Sequence, residues 1–224
     1  MVIVAILSTC LVCPASAQSP VEEAAALDAE ALRLYHAGAF SKAIVAAERS
    51  ARLRREHLPV GHFAIAVGLN TLGLITQEVG RLQEAEGLYG QALAITEAAR
   101  PVRSVDLALM LSNLALLHQK LAKWDEAEAG HKRALKLLEA SLPPDHLKIG
   151  QSLNNLSSLY LSLGRFDQAE QLQLRALAIL RKQLPAGHPD IGQLHNNLGS
   201  ILDAKGEVDA EFHYRLGLEI RENA

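Results

Sequence analysis

The chain has 224 residues, with 22 Lys and Arg against 25 Asp and Glu and a net charge of −3. That balance gives no electrostatic reason to expect nucleic acid or an anionic membrane as a partner. Hydrophobic residues make up 49 % but aromatics only 4 %, so the core has to be Leu, Ala and Ile, which suits closely packed helices.

The chain opens on an apolar run, Val2 to Val12, followed by the small residues Ala15-Ser16-Ala17. This reads as a signal peptide over residues 1–17, although no Lys or Arg precedes the run. It is shorter than the roughly 20 apolar residues a membrane span needs. The expected location is periplasmic or secreted if the segment is cleaved, and cytoplasmic otherwise. Cys10 and Cys13 both fall inside it. Leu7-Ser8-Thr9-Cys10 loosely matches a lipoprotein box, so an N-terminal anchor is the one membrane contact expected. Cleavage after Ala17 leaves a chain with no cysteine and no disulfide.

Beyond this segment one interval dominates. Proline stands at Pro59, Pro101, Pro143 and Pro185, each 42 residues from the last. Gly38, Gly80, Gly164 and Gly206 keep the same interval, with Ala122 in the one missing place. Phe40, Leu82, Trp124, Phe166 and Val208 form a third column. Such a period marks a stacked repeat array, in which each unit buries surface only against its neighbours. The expected units are 21–57, 58–99, 100–141, 142–183 and 184–224.

The first unit keeps Gly38-x-Phe40-x-x-Ala43 but lacks the leading proline loop. The second to fourth share Leu72, Leu114 and Leu156 in a first helix, and Ala85, Ala127, Ala169 with Ala92, Ala134, Ala176 in a second. Small residues there let two helices approach closely. In the fourth unit Pro143-Pro144 stops the preceding helix. Leu153, Leu156, Leu159 and Tyr160 predict a helix over roughly 147–163. Gly164 ends it, and Asp167-x-x-Glu170, like Asp125-x-x-Glu128, reads as a capping box for the next. The fifth unit keeps Leu184-Pro-Ala-Gly-His-Pro-Asp and then drops one residue after Asp209. Leu216, Leu218 and Ile220 are expected to form an exposed apolar strip near the end.

Searching for chemistry gives little. His62, His146 and His188 share one place in the loop between units, with Ser104 in the third; capping the next helix is the expected role. They lie a whole unit apart, too far to share a metal held at about 2 Å. His118 and His195 are read as packing residues, and His57 with His62 is the one pair close in sequence. No nucleophile elbow, zinc-protease or phosphate-loop signature is present. No catalytic residue, metal site or cofactor is therefore expected. Arg49, Arg133 and Arg175 are read as a solvated outer face.

The run Leu153-Asn-Asn-Leu-x-x-Leu-Tyr160, then Gly164-x-Phe166-x-x-Ala169-Glu170, then Arg175-Ala-Leu177, resembles a tetratricopeptide repeat. Its 42-residue period and Leu-Pro-x-x-His-Pro loop resemble the kinesin light chain-like type. The resemblance covers about Val21 to the end. It implies an all-α fold, a right-handed superhelix (α-solenoid) of about five helix-turn-helix repeats. It also implies a non-catalytic protein-interaction module whose first helices line a concave groove for a peptide segment. On that basis Asn70, Ser112, Asn154 and Asn196 would grip peptide backbone. Leu74, Leu116, Ser158 and Ser200 lie one turn on, and Gln77 and Gln119 beyond them. Asn113, Asn155 and Asn197, the adjacent column, would bond neighbouring backbone between units. Two alternatives stand beside this, the first from the resemblance and the second from the apolar strip expected near the end. One is a regulatory or scaffold part of an enzyme system such as a caspase-like peptidase or kinase. The other is a structural protein self-associating through its last helix.

Overall fold

A computed structural model describes residues 19–223; the signal-segment and cysteine expectations lie outside them. The described residues form ten helices and no strand: α1 (Pro20–His36), α2 (Phe40–His57), α3 (Phe63–Glu78), α4 (Leu82–Ala98), α5 (Ser104–Lys120), α6 (Trp124–Ser141), α7 (Leu147–Ser162), α8 (Phe166–Gln183), α9 (Pro189–Lys205) and α10 (Ala210–Glu222). Each helix packs chiefly against its neighbours in the chain, as α1 with α2, α2 with α3, and so on. This is the all-α solenoid the period predicts.

The turns explain the period. Gly38, Gly80, Gly164 and Gly206 have φ of 72°, 84°, 70° and 76°, and Ala122 has φ 57°. Each sits just past a first helix. The following amide donates back five residues, as in Arg81 N to Thr76 O and Lys123 N to His118 O. The alanine turn therefore keeps the glycine geometry rather than being reshaped. At the other end of each unit, Leu58, Leu142 and Leu184 are extended, with ψ near 150°. Each precedes a proline, which excludes the helical region for the residue before it.

Two local expectations need correction. The second helices start at Trp124 and Phe166, one residue before Asp125 and Asp167, and no side chain caps them. The left-handed turn delivers the chain straight into the helix, so these aspartates lie in the first turn, where the helix dipole favours them, and Asp167 also pairs with Lys205 at 3.1 Å. Ser104 likewise is the first residue of α5 and caps nothing. The histidine caps do form: the Nδ1 atoms of His62, His146 and His188 accept from Ala64 N, Lys148 N and Asp190 N at 3.1–3.2 Å.

In the second and fifth hairpins a tyrosine of the second helix packs against a glycine of the first. A methyl group added to Gly73 would lie 2.9 Å from the Tyr89 ring, and one on Gly199 2.9 Å from Tyr214. The same columns pair Ala115 with His131 and Ser157 with Gln173, so the small partner grows as the large one shrinks. At the first unit Arg54 of α2 is buried, donating to Asp28 Oδ2 (2.6 Å) and Ser50 Oγ (2.7 Å). Gly68 of α3 makes room for it, since a Cβ there would be 2.7 Å from Arg54 Nη1. Among the described residues no helix is long and apolar enough to cross a membrane.

Candidate functional site

The first helices, α1, α3, α5, α7 and α9, touch one another from unit to unit, whereas the backbones of the second helices do not approach each other. The first helices therefore form the close-spaced inner wall of a curved stack, and the second helices fan outward. Salt bridges brace that outer layer, Arg133 to Glu97 and Arg175 to Glu139, each at 2.7 Å, while Arg49 pairs with Glu23 of α1 inside the first hairpin. These three arginines are paired as well as exposed. A second line of pairs crosses between units nearer the turns. Glu86 meets Lys123 (2.6 Å) and His118 (3.0 Å), and Glu128 meets Arg165 (2.9 Å). Donation from Lys123 and Lys132 respectively holds these two carboxyls below their usual range.

On the inner wall the two asparagine columns bond each other. Asn113 Nδ2 donates to Asn70 Oδ1 (3.0 Å), and Asn197 Nδ2 donates to Asn154 Oδ1 (2.8 Å). The second column thus reaches side chains of the preceding unit, not its backbone as expected. One residue further along a helix is about 100° further round it, which aims this column at the previous first helix. The rungs fix the Asn70 and Asn154 amides in orientation, and both residues stay partly exposed. At the third unit Ser112 occupies the column and is buried. No rung joins it to Asn155 among the described residues.

Leu74 and Leu116 are half-buried, Ser158 is exposed, and Ser200 donates to Asn196 O (3.1 Å) while accepting from Tyr214 Oη (3.3 Å). The two glutamines turn away from the groove. Gln77 is buried and donates to Glu78 Oε1 (3.2 Å). Gln119 donates to Nε2 of His131 in α6 (2.9 Å), inside its own hairpin. Only Gln119 reaches across its hairpin, whereas Gln77 bonds the adjacent residue of its own helix. Glu78 and Lys120 pair with each other at 2.9 Å, and that bond holds the Glu78 carboxyl below its usual range. The wall thus presents oriented amides, hydroxyls and leucines, with little free charge.

Sequence reasoning missed the start of each first helix. Gln151, Asn155 and Lys148 border a cleft between α5 and α7, and Gln151, Asp190 and Gln193 border the next one, between α7 and α9. The signal available was Ser112, a shorter residue in an otherwise asparagine column. Among the described residues no three His, Cys, Asp or Glu side chains come together as a metal site. His195 is buried and joins Arg181 and His213 rather than a ligand: Arg181 Nη2 donates to its Nε2 (2.8 Å), and its Nδ1 meets His213 Nδ1 (2.9 Å).

The sequence profiles of the tetratricopeptide repeat match residues 66–100 and 106–182, together half of the chain. No protein with a curated description matches the sequence significantly. Similar solved structures include the nearly identical TPR-like repeats of a Podosopora anserina protein described as a kinesin light chain. That structure is 21 % identical over 92 % of this chain and 98 % of that one, with a TM-score of 0.73. BtubC (BKLC) from P. vanneervenii is 22 % identical over 92 % of both chains, with a TM-score of 0.67. The apo form of RapI is 15 % identical over 90 % of this chain and 71 % of that one, with a TM-score of 0.73.

Proposed function

This chain belongs to the tetratricopeptide repeat family, with units of the kinesin light chain-like type, and from that premise we propose that its inner wall captures an extended peptide segment of a partner protein. The family's fold is a protein–protein interaction module. The observation that carries the finer reading is the pair of asparagine rungs. Asn70 and Asn154 each have one side-chain acceptor committed to a neighbour, which leaves the Nδ2 amide group pre-oriented toward the groove to donate to backbone carbonyls. An oriented donor costs less entropy on binding than a free one. Backbone recognition by amides is independent of side-chain identity, and Leu74 and Leu116 add apolar contact. A flexible peptide loses entropy as it is ordered, so single-site affinity is modest.

The test is selection from a display library of random linear peptides, on the wild-type chain and on a Ser158→Arg, Leu116→Arg variant. Ser158 is exposed and Leu116 half-buried, and circular dichroism checks that the variant keeps the wild-type helical fold. Wild type is expected to enrich peptides that the variant does not hold. Equal enrichment by both would place binding elsewhere.

A second reading has one observation in its favour. In α10, Phe212 is 62 % and Leu218 49 % exposed, whereas Leu216 and Ile220 are half-buried. The apolar residues left uncovered at the end are thus Phe212 and Leu218. Self-association through it predicts a dimer in light scattering that Phe212→Ser returns to monomer.

A further inference from the structure

Where the asparagine column reads Ser112, the inner wall has a notch. A cleft of about 130 Å³ opens between α5 and α7. Val105, Ala108 and Leu138 form its apolar side, and Ser112, Ser152 and Asn155 its polar side. Asn155 is the residue that would donate to position 112, as Asn113 donates to Asn70 and Asn197 to Asn154. The serine is too short to receive it.

The neighbouring Ser152 gives independent evidence. It is only 3 % exposed, and its Oγ has no hydrogen-bond partner. A buried hydroxyl without a partner is a standing cost to the fold. It borders the same cleft as Asn155. An apolar lining, an amide without its rung and an orphaned hydroxyl thus meet in one place.

We infer that this notch is a side-chain pocket that takes a carboxamide, glutamine above asparagine, from the bound peptide. The ligand then supplies the missing rung. Its carboxamide oxygen accepts from Asn155 Nδ2, its NH₂ group donates to Ser152 Oγ, and its two methylenes lie against Val105, Ala108 and Leu138. A charged side chain would be desolvated there against groups that offer no counter-charge except Lys148 at the rim. An aliphatic side chain would leave the Ser152 hydroxyl and the Asn155 amide unpaired, and polar sites reject such analogues strongly. The inference rests on the groove reading above and adds side-chain choice to it.

Two variants test it. Ser112→Asn places in the third unit the residue that the second, fourth and fifth already carry, and so should build the rung and fill the notch. Ser152→Ala removes the orphaned hydroxyl. Random linear peptides displayed against wild type are expected to share a Gln, or less often an Asn, at one fixed position. Replacing that Gln by Met in a selected peptide should weaken binding roughly tenfold. Ser112→Asn should bind the selected peptide at least tenfold more weakly and show no carboxamide preference in its own selection, while melting at or above the wild-type temperature. Ser152→Ala should bind severalfold more weakly with an unchanged or raised melting temperature, the opposite of what a purely structural serine would give. If wild type and Ser112→Asn select the same consensus, or if wild type selects no carboxamide, the pocket assignment is wrong while the groove stands. If wild type selects no peptide at all, the groove reading falls and this one with it.

Discussion

The Asp28–Arg54 pair sits where α1, α2 and α3 meet, with both residues at most 8 % exposed. Removing one partner of a buried ion pair strands the other charge, so Asp28→Ala is expected to cost about 3 to 5 kcal/mol. Replacing both, Asp28→Leu with Arg54→Met, should recover most of that loss. Urea denaturation followed by circular dichroism measures both. Equal destabilisation by the single and the double variant would show that the charges themselves hold the first unit together. Two buried histidines set a second expectation. Burial pushes the pKa of His131 and of His195 down to about 4, against about 6.5 in an unfolded chain. The unfolded state therefore binds more protons between these values, and stability that is complete above about pH 6.5 is lost as pH falls toward about 4. Around His195, Arg181 opposes a second positive charge, and the neighbouring His213 is itself held below its usual value, chiefly by burial. The lowered carboxyls Glu78, Glu86 and Glu128 add losses only at more acid pH. The melting temperature should fall between about pH 7 and about pH 5, and His195→Gln should flatten that slope. A melting temperature that is level over this range would contradict the assignment.

At the scale of helices and turns, most of the architecture is legible in the sequence. Leu58, Leu142 and Leu184 end their helices because the next residue is proline, and the left-handed positions fall on glycine because only glycine takes that geometry without strain. Both are local rules, and local rules survive folding. The capping boxes at Asp125 and Asp167 misled for a related reason: the turn before each second helix is so short that the aspartate is already inside it. The facing columns were legible in half. Ala85, Ala92 and their repeats announce close helices, but the match of Gly73 with Tyr89 and Ala115 with His131 depends on which residues meet across a hairpin. The groove followed the same division. The period placed Asn70 and Asn154 in one column, but not the asparagine of the next unit that would hold each one. Gln77 and Gln119 share the period yet turn inward, because repetition fixes position along a helix and says nothing of what the side chain finds there. Ala122 supports a prediction at this scale. An alanine at φ 57° costs about 1–2 kcal/mol relative to a right-handed residue, partly offset because glycine loses more entropy on folding. Ala122→Gly should stabilise by about 0.5 to 1 kcal/mol, a rise of roughly 1 to 3 °C in melting temperature. A drop on thermal melting would mean that the methyl group makes a contact worth more than the strain.

Over the whole molecule, function follows from the difference between the two layers. The first helices stand close together and carry oriented amides, hydroxyls and leucines. The second helices spread apart and are braced by ion pairs such as Arg133–Glu97 and Arg175–Glu139. A stack of this kind holds a long, shallow surface in place, because each inner unit packs against a neighbour on both sides. On the proposed reading, its use is to meet another chain along several units at once. The most direct measurement is amide chemical-shift mapping of the isotope-labelled chain during titration with a peptide selected from the random library. The account predicts shifts concentrated in α3, α5, α7 and α9, strongest around Asn70, Ser112, Asn154 and Asn155. Shifts confined to α4, α6 and α8, or to the exposed strip of α10, would contradict it.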